Sequence, residues 1–259
     1  MKSETEQGVN STPAAPASSA RAVLFDLDGT LVDSFPGIAG TVDAVLAQLG
    51  RPDCDRAVLR GMIGAPLEAI FRTLLSGAPL AAGHVALEAA VAPAPTGDAA
   101  PDASALIQRS VVAYLEAYPA LGVPNAPPFP GVLSLLDRCV AHGLQLAVVT
   151  TKRTAIARLV LSAIGAEDRF QAVIGFDAAA HPKPHPAPAL AALERLGTLA
   201  KDAVVVGDTI MDMGMARAAG CRAIGVGWGY QDGAALLVAG AEAVVSSPED
   251  LAKRLLPDR

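Results

Sequence analysis

Two aspartates separated by one residue close an apolar run in VLFDLDGTLVDS, Val23 to Ser34. Side chains alternate along an extended strand, so Asp26 and Asp28 point to the same side while Leu27 faces the other. Carboxylates placed this way raise one another's pKa unless a cation or a shared proton relieves them. A second pair follows in VVVGDTIMDMGMARAAG, where Asp208 leaves a strand and Asp212 stands four residues on, in the first turn of a helix that Gly220 ends. That spacing puts both on one helix face. A lone D-x-D can be a solvated turn, and an Asp at a helix start can simply cap it. The recurrence of an acidic pair after two separate strands is what points to chemistry.

Two further candidates stand beside them. The run LAVVT ends in Thr150 and Thr151 and continues to Lys152 and Arg153, placing hydroxyls and a helix start where an anion could bind. Threonine at such a junction is also an ordinary N-cap. Lys183 lies in HPKPHPAP, a segment stiffened because each proline ring fixes its φ angle. An ammonium held still in such a loop can stabilise an oxyanion or a phosphoryl group.

These side chains need a scaffold that gathers them. Short β-branched runs recur at Ala22 to Phe25, Leu144 to Val149, Ala172 to Ile174, Ala203 to Val206 and Arg222 to Val226, each bounded by glycine, proline or charge. From Pro130 onward they alternate with helical patterns, which predicts βαβ units and a parallel sheet. Ligands of such sheets sit beyond the carboxyl ends of the strands, so both acidic pairs are expected at one edge. Oxygen donors of this kind select a hard cation, and Mg²⁺ is usual where a phosphate also binds. His181 and His185 are four apart, but Pro182 and Pro184 keep them off a common helix face, so no metal role is assigned to them.

Between Phe35 and Phe129 the pattern is helical: Ile38, Val42, Val45, Leu46 and Leu49; Leu67, Ile70, Phe71, Leu74 and Leu75; Leu106, Ile107, Val111, Tyr114, Leu115 and Tyr118. An all-α domain inserted at 35–129 is therefore expected, its ends joining near Ser34 to Pro36 and Asn125 to Pro130, with an α/β core formed by 21–34 and 130–259. Residues 1–20 read as a disordered tail without the apolar centre of a secretory signal. The stretch Ala90 to Ser104 reads as an alanine-, proline- and glycine-rich loop.

Composition narrows the class further. Of the 259 residues 52% are hydrophobic, enough for a sizeable core, while aromatics make up only 4%. The net charge of −6 provides no broad basic field for nucleic acid or anionic lipid, so any bound anion must be held locally. No apolar run reaches the roughly 18 residues of a spanning helix. Cys54, Cys139 and Cys221 are too far apart for a zinc site and odd in number, which predicts reduced core thiols and a cytoplasmic protein.

Taken together, FDLDGTLVDS, Thr150 at the end of AVVT, Lys183 before a proline and GDTIMD are similar, in order, to the four motifs of the haloacid dehalogenase superfamily of aspartate-nucleophile phosphotransferases. The helical insert resembles that family's first type of cap, and MARAAGCRAIGVGWGY resembles its phosphoglycolate phosphatase-like branch. The resemblance implies a Rossmann-like core with a helical cap and a phosphatase acting on a small phosphorylated metabolite. It implies Asp26 as the nucleophile, Asp28 as acid and base, and Thr150, with Thr151 and Lys183, as phosphate ligands. Mg²⁺ would be held by Asp26, the Asp28 carbonyl and Asp208, supported by Asp212.

Asp28 speaks against carbon–halogen cleavage, because dehalogenases lack the second acid, and RGMIGAPLEAIF has no counterpart of the phosphonate-cleaving lysine. A pyrophosphatase, a phosphomutase and a non-catalytic module are the other readings. Met62 to Leu67, Arg60, Arg72 and Arg109 are candidate cap contacts, although each arginine can equally be a surface charge. GVGWGY follows the last predicted strand rather than the first, so it reads as a tight turn near the active edge and not as a dinucleotide fingerprint.

Overall fold

The computed structural model describes residues 20–76 and 101–256. The expected tail, up to residue 19, and residues 90–100 of the expected loop lie outside them.

Six parallel strands form one sheet in the order β3-β2-β1-β4-β5-β6. They are β1 (Ala22–Phe25), β2 (Gln145–Val149), β3 (Ala172–Ile174), β4 (Ala203–Gly207), β5 (Arg222–Val226) and β6 (Ala243–Val245). Parallel strands are covered on both faces, and β1 shows it: all four residues are buried. Val23 and Phe25 face one apolar layer and Ala22 and Leu24 the other. Helices α5 (Val132–Ala141), α6 (Thr154–Ala163) and α10 (Pro248–Leu255) supply Leu136, Leu161 and Leu251 to the first layer. Helices α7 (Ala187–Leu196), α8 (Ile210–Ala219) and α9 (Gly233–Ala239) supply Ala192, Ala216 and Leu236 to the second. The second layer is rich in alanine, which lets helix and sheet approach closely.

Between β1 and α5 run α1 (Phe35–Gln48), α2 (Arg56–Gly61), α3 (Leu67–Ser76) and α4 (Pro101–Leu121). Their apolar stripes bury Val42, Leu59, Ile70, Phe71, Val111, Tyr114 and Tyr118, in one cluster with Phe25 and Leu31. The chain leaving β1 and the chain returning from α4 run side by side: Asp33 N–H donates to Pro127 O at 2.9 Å and Phe129 N–H to Leu31 O at 3.0 Å. Residues 101–104, expected within a loop, instead open α4. Proline suits a first helical turn, where its missing N–H would have no intrahelical partner.

The three cysteines are unpaired, with Cys54 and Cys139 buried. No helix among the described residues is long and apolar enough to cross a membrane. Leu136 is completely buried, so Leu136→Ala is expected to lower stability by about 2–5 kcal/mol in a denaturant titration.

Candidate active site

The strand order makes β1 and β4 neighbours, with Phe25 opposite Val206. Asp26 N–H continues the ladder to Val206 O at 2.8 Å, so the chain past β1 stays beside the end of β4, where Asp208 follows. Asp26, Asp208 and Asp212 converge there, each buried, with ligand atoms within 4.8 Å of one another.

Each carboxylate is held. Lys183 Nζ lies 2.7 Å from Asp26 Oδ1 and 2.6 Å from Asp212 Oδ1, and is only 4% exposed although its loop is on the surface of the fold. Asp208 Oδ1 accepts from the Thr30 hydroxyl at 3.2 Å, and its Oδ2 from the Tyr230 backbone N–H at 2.8 Å. Asp212 Oδ2 accepts from the Thr209 hydroxyl at 2.6 Å and the Thr209 N–H at 3.1 Å, closing a reciprocal cap at the start of α8. Capping and site chemistry are thus both carried by Asp212. The expected common helix face for Asp208 and Asp212 is corrected: α8 begins at Ile210 after an extended Thr209, so Asp208 precedes the helix and reaches the cluster from the strand end.

Burial pushes the Asp26 carboxyl up to about 7; Lys183 opposes this, while Asp212 and Asp28 add to it. Burial likewise raises Asp208 well above the usual carboxylate range, with Asp26 and Asp212 adding. For Lys183 burial acts against the charge, but Asp212 and Asp26 outweigh it and hold the ammonium above its ordinary range. Burial and mutual repulsion therefore disfavour full ionisation of the cluster, and with all three carboxylates ionised the single ammonium would leave a surplus of two negative charges. An all-oxygen set with that surplus fits a hard divalent cation.

Asp28 takes a different partner. Its two oxygens each lie 2.7 Å from Lys152 Nζ, so its carboxylate stands apart from the three-acid cluster. Thr150 is buried at the end of β2, and its Oγ1 accepts from the Lys152 N–H at 3.2 Å. Thr151 is half-buried next to it. No hydrogen bond joins either threonine to the aspartates.

Lys152, Thr30 and Tyr230 were not singled out by spacing. Of the three, only Lys152 carries a signal, as the first cation after the β2 end. The GVGWGY segment is a turn after β5, as expected, and it braces the site: Tyr230 N–H holds Asp208, and Trp228 Nε1–H donates to Thr30 O at 3.1 Å.

Among the candidate cap contacts, the exposed Arg60 guanidinium stacks 5.3 Å from the Phe35 ring centre and 5.1 Å from that of Tyr230. A methyl on Gly64 would lie 3.8 Å from Thr209 Cγ2, so the loop after α2 overhangs the start of α8. Arg72 and Arg109 are exposed. His181 and His185 share no helix face, as expected, yet a turn brings their rings to 4.4 Å.

Gly29 shows how tight the centre is. Its φ is +83°, and a Cβ there would fall 2.2 Å from Asp208 Oδ2. Gly29→Ala combines an unfavourable backbone region with overpacking, so a loss of at least about 1–3 kcal/mol is expected in chemical unfolding.

Fold and site define a parallel α/β protein with a buried acidic centre beyond the carboxyl ends of its central strands, an arrangement suited to cation-assisted chemistry on an anion. Residues 23–226 match the haloacid dehalogenase-like hydrolase family, a span that includes both acidic pairs, Thr150 and Lys183. A Dickeya dadantii protein named "Probable phosphatase IndB" is 38% identical over 209 residues, 80% of this chain and 81% of the relative. A Xylella fastidiosa phosphoglycolate phosphatase is 38% identical over 218 residues, 83% of this chain and 85% of the relative. A solved haloacid dehalogenase-like family hydrolase from Streptococcus pneumoniae superposes with a TM-score of 0.72 at 28% identity, covering 90% of this chain and 97% of the other. The chain belongs to the haloacid dehalogenase-like hydrolases.

Proposed function

We propose that this is a cytoplasmic, Mg²⁺-dependent phosphatase that hydrolyses a small phosphomonoester of the phosphoglycolate type through a phosphoryl group carried on Asp26. The observation that carries the reading is the buried convergence of Asp26, Asp208 and Asp212 around the Lys183 ammonium. The phosphoglycolate phosphatases among the relatives favour that substrate type.

Asp26 attacks phosphorus, and the bond to the ester oxygen breaks as Asp28 gives that oxygen a proton. Asp28, now ionised, takes a proton from the water that attacks the phosphorylated Asp26, releasing phosphate and restoring both side chains. Lys183 keeps Asp26 oriented and favours the ionised form that burial opposes. Asp212 positions Lys183 through the capped start of α8 and supports the metal site. Thr150, Thr151 and the helix start behind them bind phosphoryl oxygens. Asp26, Asp208 and the Asp28 carbonyl would hold Mg²⁺, which when bound would supply charge neutralisation and polarisation of the phosphoryl group.

In this reading residues 35–129 form a cap that closes over the substrate and excludes bulk water, on a core of residues 21–34 and 130–259. Phosphate release with and without Mg²⁺, across phosphoglycolate, pyrophosphate, sugar phosphates and nucleotides, tests it. Magnesium-dependent release from small phosphomonoesters is expected. Turnover of pyrophosphate alone, or release indifferent to Mg²⁺, would overturn it.

A further inference from the structure

Asp28 is the group that must reach the ester oxygen, yet Lys152 Nζ holds both of its oxygens, each at 2.7 Å, with the two side chains only 12% and 10% exposed. A second feature adjoins this pair. The Lys152 ammonium lies 4.8 Å from the ring centre of Tyr118, on α4. Tyr118 is 1% exposed, and its buried hydroxyl faces the Lys152 ammonium, which can only donate, so the phenol proton has no acceptor among the described residues. An unmet buried donor is costly, and a ligand acceptor would recover that cost. Lys152 and Asp28 are the charged groups that act on that hydroxyl, so it belongs to the same corner.

The ring is fixed from both sides. Tyr114 stacks on it at 5.3 Å, and a Cβ on Gly122 would fall 2.2 Å from its Cδ2 and Cε2. An ammonium and a spare phenol O–H held rigidly beside the leaving-group acid make a receptor for an anion with more than one acceptor, not for a neutral alcohol.

We propose that Lys152 and the Tyr118 hydroxyl form the leaving-group subsite and select phosphomonoesters whose alcohol half carries a carboxylate. This rests on the phosphatase reading and adds the residues that set specificity. The incoming carboxylate replaces Asp28 as the partner of Lys152, which releases Asp28 to turn toward the ester oxygen. Because Tyr118 stands on α4 and Lys152 follows β2, the subsite needs both the helices and the sheet, and it discriminates only when the two are packed together.

Binding to the non-hydrolysing Asp26→Asn protein, titrated calorimetrically with Mg²⁺ present, separates recognition from turnover. The probes are phosphoglycolate and ethyl phosphate, equal in chain length and differing in the carboxylate. The parent is expected to bind phosphoglycolate about 10- to 100-fold more tightly than ethyl phosphate. Adding Lys152→Met should bring the ratio within about 3-fold by weakening phosphoglycolate alone, Lys152→Arg should keep most of the preference, and Tyr118→Phe should cost about 5-fold on phosphoglycolate.

An unchanged ratio in Lys152→Met, or equal weakening of both probes, would overturn the subsite and leave the phosphatase reading standing. Equal affinity of the parent for both probes would do the same. Binding of neither probe, together with no phosphate release by the wild-type protein, would overturn both.

Discussion

Asp26→Asn is expected to lower phosphate release by about 10⁴-fold or more, the scale seen when a nucleophile is removed from a site whose groups act together. Asparagine keeps the volume and leaves an oxygen that can accept from Lys183, so no cavity opens and the ammonium keeps a partner at the position now 2.7 Å away. What disappears is the anionic oxygen. Three buried carboxylates crowd this point, and burial already pushes Asp26 up to about 7, so removing one charge relieves repulsion in the metal-free protein. The metal-free variant should therefore unfold at the same temperature as the wild type or a higher one. Near-normal turnover would remove Asp26 from the nucleophilic role, and a collapsed melting curve would mean that its carboxylate is needed for folding.

Removing divalent metal is the second large effect. Chelation is expected to lower phosphate release by about 10³-fold or more, because without a cation the crowded carboxylates either repel an incoming anionic phosphate or take up protons, and a protonated Asp26 is no nucleophile. A readout independent of activity is available. A ligand present at about 100 times its dissociation constant stabilises the folded chain by about 2.7 kcal/mol, so Mg²⁺ should raise the melting temperature by about 5–10 °C. Asp208→Asn should abolish that shift. The side chain is completely buried and is held by Thr30 and Tyr230, so the amide stays in place while the charge is lost. A shift that persists in Asp208→Asn would place the cation elsewhere.

Much of the scaffold was legible because burial on both faces writes itself into a strand as an unbroken apolar run. Ala22 to Phe25, Ala172 to Ile174 and Ala223 to Val226 carry that signature, and the predicted bounds of these strands, the last beginning at Arg222, match to the residue. β6 escaped because Ala243 and Val244 stay partly exposed, whereas β3, equally short and at the opposite edge, is buried throughout. Ala90 to Ser104 was read by composition, and proline content does not reveal that Pro101 opens a helix.

In the site, Asp26 and Asp208 could be paired from the sequence because the carboxyl ends of parallel strands share an edge. The division of partners could not be read there. Asp26 to Lys183 and Asp28 to Lys152 are ion pairs across 157 and 124 positions, set by which strands are neighbours and how each loop folds back. Tyr118 fits an apolar helical stripe equally well whether its hydroxyl is satisfied or not, so only coordinates expose the unmet donor beside Lys152.

The most direct test is to catch the phosphoryl group on the chain. p-Nitrophenyl phosphate has a leaving group that departs without a proton, so Asp28→Asn should still allow the first step, while the second lacks the base that activates water. Rapid acid quenching of that variant, followed by peptide mass spectrometry, should find one phosphoryl group on the peptide that carries Asp26. A phosphoryl group on another residue, or an unmodified peptide in a sample that has already released nitrophenolate and phosphate together, would contradict Asp26 as the nucleophile.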